Sequence, residues 1–205
     1  MGPSGIGKST LLRLILGLST SGAFTGQITA SDGKPLEGRV SYMAQTDLLL
    51  PWLSVLGNVV LGARLRGERP DMDQAHYMIE RVGLAAHQSK RPKALSGGMR
   101  QRAALARTLM EDRPVVLLDE PFCALDAGTR ADMQELSAEV LIGKTVFMVT
   151  HDPAEASRLG HQIILLSRDK AAVWPCPASP PVRATDDAAA FDCQTALLAH
   201  LRNAQ

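Results

Sequence analysis

The segment Gly2-Pro3-Ser4-Gly5-Ile6-Gly7-Lys8-Ser9 satisfies G-x-x-x-x-G-K-S/T at every fixed position. Few features restrict a fold more. Such a loop wraps phosphate oxygens in main-chain N–H groups, between a buried strand and a helix. Gly5 and Gly7 let the backbone approach the anion closely. Lys8 supplies a point charge for the β and γ phosphates, and the Ser9 hydroxyl suits Mg²⁺. Thr10 continues into a helix whose positive end faces the same anion. Residues Gly2 to Thr10 are therefore candidate nucleotide-binding residues.

The rest of the chain alternates strands with helices. Lys8 to Leu18 carries a broad apolar stripe and reads as a helix. Gln27 to Ala30 reads as a strand entering a turn at Asp32-Gly33, and Val40 to Ala44 as a second strand. Val55 to Arg66 and Met72 to Val82 have helical periodicity. Another helix is expected from Ser96 to about Met110. Val115 to Leu118 is an uninterrupted apolar run, the pattern of a strand buried on both faces of a parallel sheet. A helix follows from about Thr129 to Leu141, then a second buried strand over Thr145 to Val149. Asp152-Pro153-Ala154-Glu155 is a helix start with a cap, a Pro at the first position and an acid at the third. Ile163 to Leu166 is one more strand. "PCPASPP" over 175–181 reads as a linker, and a short final helix from about Asp187 is expected to bury Phe191, Leu198 and Leu201.

This order predicts an α/β domain around a mostly parallel sheet. The helical stretch interrupts the alternation. The expected organisation is a single domain over 1–205, with a core of 1–48 and 111–170. A helical subdomain covers about 49–110, and a C-terminal linker and helix cover 171–205.

Composition narrows the function. Net charge is +1 and aromatic content 4%. Neither suits a nucleic-acid surface, so no nucleic-acid partner is expected. The three cysteines, Cys123, Cys176 and Cys193, include no C-x-x-C pair and read as free thiols. Lys8 and Arg13 break up any early apolar run, so a signal peptide is not expected. Leu48 to Leu65 is the most membrane-like stretch, but Pro51, Ser54, Asn58 and Arg64 argue against a spanning helix.

Further chemistry follows the loop. "VVLLDEP" places Asp119 and Glu120 directly after the buried strand, where one carboxylate can reach a metal and its neighbour a water beside the γ phosphate. "LSGGMRQR" over 95–102 has Ser96 as a helix cap, with Gly97 and Gly98 exposing the first N–H groups. That is either a plain cap or a second anion site. One nucleotide needs one phosphate loop, so a second site points to nucleotide shared between two copies.

Together these residues resemble the ATP-binding subunit of an ABC transporter. The Walker A loop, a Q-loop at Gln45, the signature at Leu95 to Gln101, Walker B at Val115 to Glu120, a D-loop at Ala124-Leu125-Asp126 and a switch His151 follow in the family's order, over residues 2 to about 167. The resemblance implies the P-loop NTPase (RecA-like) fold and the cofactors ATP and Mg²⁺. It implies two cassettes that close over ATP, each nucleotide held by Walker A of one and the signature of the other. By the same resemblance Glu120 is the general base and His151 the γ-phosphate switch. Gln45 senses metal and water, and Ser9, Gln45 and Asp119 serve Mg²⁺. Ser96, Gly97, Gly98, Gln101 and Asp126 act across the dimer.

The implied function is ATP hydrolysis that drives import through a membrane permease, with a substrate-binding protein as an indirect partner. The implied location is peripheral, on the cytoplasmic face of the inner membrane. "QTDLLLPWLSVLGNV" resembles importers of nitrate, sulfonates, taurine and hydroxymethylpyrimidine or thiamine precursors. Two other readings are a soluble ABC-type ATPase outside transport and a truncated, non-catalytic remnant. The family also carries a strand ahead of Walker A and an aromatic residue that stacks on adenine. With Met1 directly before Gly2, the expectation is a fragment or an internal start.

Overall fold

The computed structural model describes residues 1–3, 5–167 and 170–203. It divides into two compact units, 39–148 and 1–38 with 149–205.

In the unit 39–148, a sheet has the order β1 (Val40–Met43), β2 (Val115–Asp119), β3 (Thr145–Val149), whose last residue begins the other unit. β1 and β2 run parallel, with Val40 opposite Val115 and Met43 opposite Leu118. As the middle strand, β2 buries Val116, Leu117, Leu118 and Asp119. An unbroken apolar run suits such a place, because neither face meets water. β3 is a strand as expected, but it is not buried: Val146 and Phe147 are 40% and 44% exposed. It lies at the end of this sheet, so its apolar run is not covered as that of β2 is.

The helices of this unit are α2 (Val55–Val59), α3 (Leu61–Leu65), α4 (Met72–Arg81), α5 (Gly97–Leu109) and α6 (Ala127–Val140). The single helix expected over 55–66 is broken at Val60, whose φ of −90° and ψ of 7° end α2 and begin α3. α5 is the core helix. Ala103, Ala104 and Ala106 are fully buried, and such small side chains let neighbouring elements approach its backbone closely. Val55, Val59, Ala75, Met78 and Ile79 pack as the helical core of 55–82.

The other unit contains α1 (Lys8–Ile15), α7 (Pro153–Leu159), β4 (Ile163–Leu166), β5 (Ala171–Trp174) and α8 (Ala188–Asn203). α1 stops at Ile15, short of the expected Leu18. No strand forms over Gln27 to Ala30; only the turn survives, with Gly33 N–H on the Ala30 carbonyl at 3.0 Å. A four-residue strand needs a ladder partner, and none lies beside it among the described residues. β5 was not anticipated. It pairs antiparallel with β4, Ile163 opposite Trp174.

Ala156, Ile163, Leu165 and Leu197 form a hydrophobic cluster, with Met1, Trp174, Cys176 and Cys193 against it. Here α8 departs from expectation. Phe191 and Leu198 are 64% and 40% exposed, and Leu201 is half-buried. The covered residues are Ala190 and Leu197, one position earlier in the same seven-residue spacing. The 175–181 stretch does not hang free. Buried Arg183 donates to the Pro177 carbonyl at 2.9 Å, and to Ser157 and Gly160 at the end of α7 at 2.7 and 2.9 Å. No helix among the described residues is long and apolar enough to cross a membrane.

Candidate functional site

The glycine loop opens the unit 1–38 with 149–205. Met1 donates its N–H to the Ile164 carbonyl at 2.7 Å and accepts from Leu166 N–H at 2.8 Å, the bonding pattern of a parallel pair. The chain thus enters the loop from a strand position beside β4. Burial, with repulsion from the Lys8 charge, lowers the pKa of the Met1 ammonium.

Gly2, Gly5 and Gly7 have φ of 155°, 78° and 95°. At Gly5 and Gly7 an added Cβ would meet nothing within 4 Å, while at Gly2 it would sit 2.5 Å from the Leu166 carbonyl. Gly7 caps α1 without a side-chain bond, and the first turn of α1 has no acid. The helix start therefore keeps N–H groups for an anion, and open left-handed glycines leave room for one. Lys8 is 8% exposed, and its ammonium donates to the carbonyls of Gly2 and Pro3, both at 2.8 Å. That folds the lysine back over the loop. The residues present fit a polyphosphate. Pro3 and Ile6 are half-buried parts of the loop, Ser9 and Thr10 lie in the first turn of α1, and Ser4 falls outside the described residues.

In the unit 39–148, β2 carries Asp119 at its end, only 2% exposed. Glu120 follows with φ of 50°, the left-handed region. A residue with a Cβ pays about 1–2 kcal/mol to adopt it, so surrounding contacts must hold it. Gln101 of α5, 5% exposed, donates its amide to the Pro121 carbonyl at 3.1 Å and to that of Glu120 at 3.4 Å. Gln45 donates to Glu120 Oε2 at 3.3 Å, across 75 residues of sequence. The structure thus brings Gln45, Gln101, Asp119 and Glu120 together. Asp119 and Glu120 carry carboxylates and Gln45 an amide oxygen, donor types of the kind Mg²⁺ takes.

Ser96 caps α5 by accepting from Met99 N–H at 3.2 Å, leaving Gly97 exposed and Gly98 half-buried at the helix start. At Gly98 a Cβ would stand 3.2 Å from the Ala124 carbonyl, so a side chain there would need the 124–126 turn to give by a few tenths of an ångström. Asp126 ends that turn and caps α6. The Thr129 N–H on its carboxylate, at 3.1 Å, holds its pKa below the usual carboxylate value.

The pattern reading missed the ties on the segment after Gln45. Arg100 Nε donates to Asp47 Oδ2 at 3.0 Å, and Arg107 donates to the carbonyls of Asp47 and Leu48, both at 2.8 Å. Burial lowers the Arg107 pKa, against the opposing pull of Asp47 and Glu111. Asn58 is fully buried and both accepts from and donates to the main chain of Leu50. The signal was present in part: Arg100 and Arg107 sit seven residues apart, on one face of α5. Beyond these ties Leu48 and Trp52 are 61% and 64% exposed. His151 is exposed in the turn between β3 and α7. Cys123, Cys176 and Cys193 are free thiols.

The model of the ABC transporter family matches residues 1–123. An uncharacterised ABC transporter ATP-binding protein of Haemophilus influenzae is 46% identical, over 81% of this chain and 68% of that protein. An aliphatic sulfonates import ATP-binding protein of Rhodococcus jostii is 48% identical, over 82% of this chain and 66% of its own length. A taurine import ATP-binding protein of Pseudomonas savastanoi is 46% identical, with shares of 82% and 66%. The chain thus spans about two thirds of the length of these relatives. Among solved structures, the dimeric post-hydrolysis state of the ATP-binding cassette MJ0796, bound to ADP and Pi, superposes with a TM-score of 0.73. That similarity comes at 29% identity and covers 90% of this chain and 84% of the other.

Proposed function

The chain belongs to the ABC transporter family, and from that premise we propose that it is the ATP-hydrolysing subunit of an importer. The observation that carries this is Glu120. An acid follows the buried metal-type ligand Asp119, in a left-handed conformation held by Gln101 and faced by Gln45.

The glycine loop and Lys8 bind and orient the β and γ phosphates. On the family's motifs, Ser9, Asp119 and Gln45 are the residues that would hold Mg²⁺, which would supply charge neutralisation on the phosphate oxygens. Glu120 takes the proton of the attacking water, and His151 contacts the γ phosphate. Ser96, Gly97, Gly98 and Asp126 act on nucleotide held by a second cassette. The glycine-rich start of α5 and the dimeric relative with ADP and Pi support that reading.

A membrane permease is the second partner, and it docks on the segment 47–54, where the core leads into the helical subdomain (about 49–110). Exposed Leu48 and Trp52 support this, on a loop that Arg100, Arg107 and Asn58 hold to its shape. The protein then sits on the cytoplasmic face of the membrane without spanning it. The cargo belongs with small sulfonates and taurine, a reading supported by the relatives at 48% and 46% identity.

The test is ATP turnover by the purified chain with Mg²⁺, beside Glu120→Gln. Turnover by the parent, with a loss of ~10²–10⁴ in the variant at retained ATP affinity, is the expected result. A parent that binds ATP without hydrolysing it would defeat the proposal.

A further inference from the structure

The residues on both sides of His151 are tied to one buried acid. Thr150 is 3% exposed, and its hydroxyl donates to Glu155 Oε2 at 2.6 Å. The same hydroxyl oxygen accepts the main-chain N–H of Asp152 at 2.9 Å. Asp152 in turn caps α7, its carboxylate accepting from Ala154 N–H at 2.8 Å. Glu155, the third residue of α7, is 5% exposed.

An acid at that position ordinarily reaches back to the N–H of the cap residue. Here the Thr150 hydroxyl is inserted between the two. The result is a directed chain, Asp152 N–H to Thr150 Oγ1–H to the Glu155 carboxylate, that closes around His151. Its geometry is demanding. A hydroxyl has one proton, so donating to Glu155 while accepting from Asp152 sets its rotamer. A buried carboxylate is tolerated only where donors face it, so a shift of Thr150 is costly. An exposed imidazole is thereby carried on a main chain that cannot readily turn.

We propose that Thr150 and Glu155 are positioning residues that hold His151 in register for the γ phosphate. This rests on the role given to His151 above. It differs from a plain helix cap, which would stabilise α7 and leave the orientation of His151 unaffected.

The experiment uses the full chain as wild type, Thr150→Val, Thr150→Ser, His151→Ala and Thr150→Val/His151→Ala. Steady-state kinetics with Mg-ATP are read first. Thr150→Val keeps the shape of the side chain but removes both bonds, and should lower kcat on the order of 10²-fold with KM for ATP nearly unchanged. Thr150→Ser retains the hydroxyl and should restore turnover. In the His151→Ala background, Thr150→Val should add no further loss, because it acts through the histidine.

A second readout needs no nucleotide. In histidine-labelled protein, the ring resonance of His151 should be sharp in wild type and Thr150→Ser, and averaged in Thr150→Val. Should Thr150→Val not fold, Glu155→Ala leaves Thr150 and the Asp152 cap in place and should show the same kinetic and spectral changes. Normal turnover in Thr150→Val beside an inactive His151→Ala would overturn the positioning role. An equal loss from Thr150→Val with and without His151 would overturn it too. Normal turnover in His151→Ala would instead remove the role of His151 itself.

Discussion

At the scale of single residues, the site depends on side chains that hold main chain. Gln101 is the clearest. Its amide serves the carbonyls of Glu120 and Pro121 from inside the protein. Gln101→Leu keeps the volume and strands those carbonyls, which should cost about 1–3 kcal/mol. Turnover should fall with it, since the left-handed turn at Glu120 loses a restraint. Chemical denaturation beside ATPase assays checks both; an unchanged midpoint with unchanged turnover would refute the clamp. The thiols offer a second test. Burial pushes the pKa of Cys176 and Cys193 up, while Cys123 is exposed. The thiolate is the reactive form, so alkylation near neutral pH should mark Cys123 first. Peptide mapping after a brief iodoacetamide pulse would show otherwise if Cys176 or Cys193 led.

At the scale of elements, the decisive feature is which face each one covers. On α8 it is the Ala190 and Leu197 face, while Phe191 points out. Leu197→Ala should therefore cost about 2–5 kcal/mol, and Phe191→Ala within about 0.5 kcal/mol. Thermal melts of the two variants separate them, and the reverse order would show the helix turned by one residue. The start of α5 gives the complementary test. Ser96→Ala removes only the cap on Met99 N–H, worth ~1 kcal/mol. Ser96→Arg fills the space in front of the exposed helix start as well. On the shared-site reading, Ser96→Arg should abolish an ATP-induced dimer in size-exclusion chromatography, and Ser96→Ala should keep it.

At the scale of the whole molecule, acid should release the C-terminal segment. The N–H of Ala190 at the start of α8 and the Ser179 hydroxyl both donate to Asp187, and hold its pKa below the ordinary 3.8. A carboxylate depressed in the folded state contributes stability above its unfolded pKa. It loses that contribution as pH falls through the folded value. The window thus lies at and below pH 3.8. Trp174 lies against His200 of α8, with ring centroids 4.9 Å apart and the planes tilted by 51°. Its fluorescence in a Trp52→Phe background should change as the helix leaves. Asp187→Asn should flatten that acid transition; a transition of the same size and midpoint would exclude Asp187 as its cause.

The sequence by itself determined the family and the order of its motifs. Phosphate loop, acid pair and signature each depend on residues a few positions apart, and spacing along the chain is enough to read them. It also determined the caps at Ser96 and Asp152, for the same reason of local reach. Tertiary structure decided what depends on neighbours. An apolar run at 145–149 states that a strand forms, not that it will end a sheet with Phe147 in the open. Seven-residue spacing on α8 allows two adjacent stripes, and only packing against Ile163 and Leu165 selects Leu197. Gln45 meets Glu120 across 75 residues, and the Thr150–Glu155 pair turns a familiar helix start into a brace around His151. Those contacts follow from how buried donors and acceptors satisfy one another in the folded chain, which no local spacing encodes.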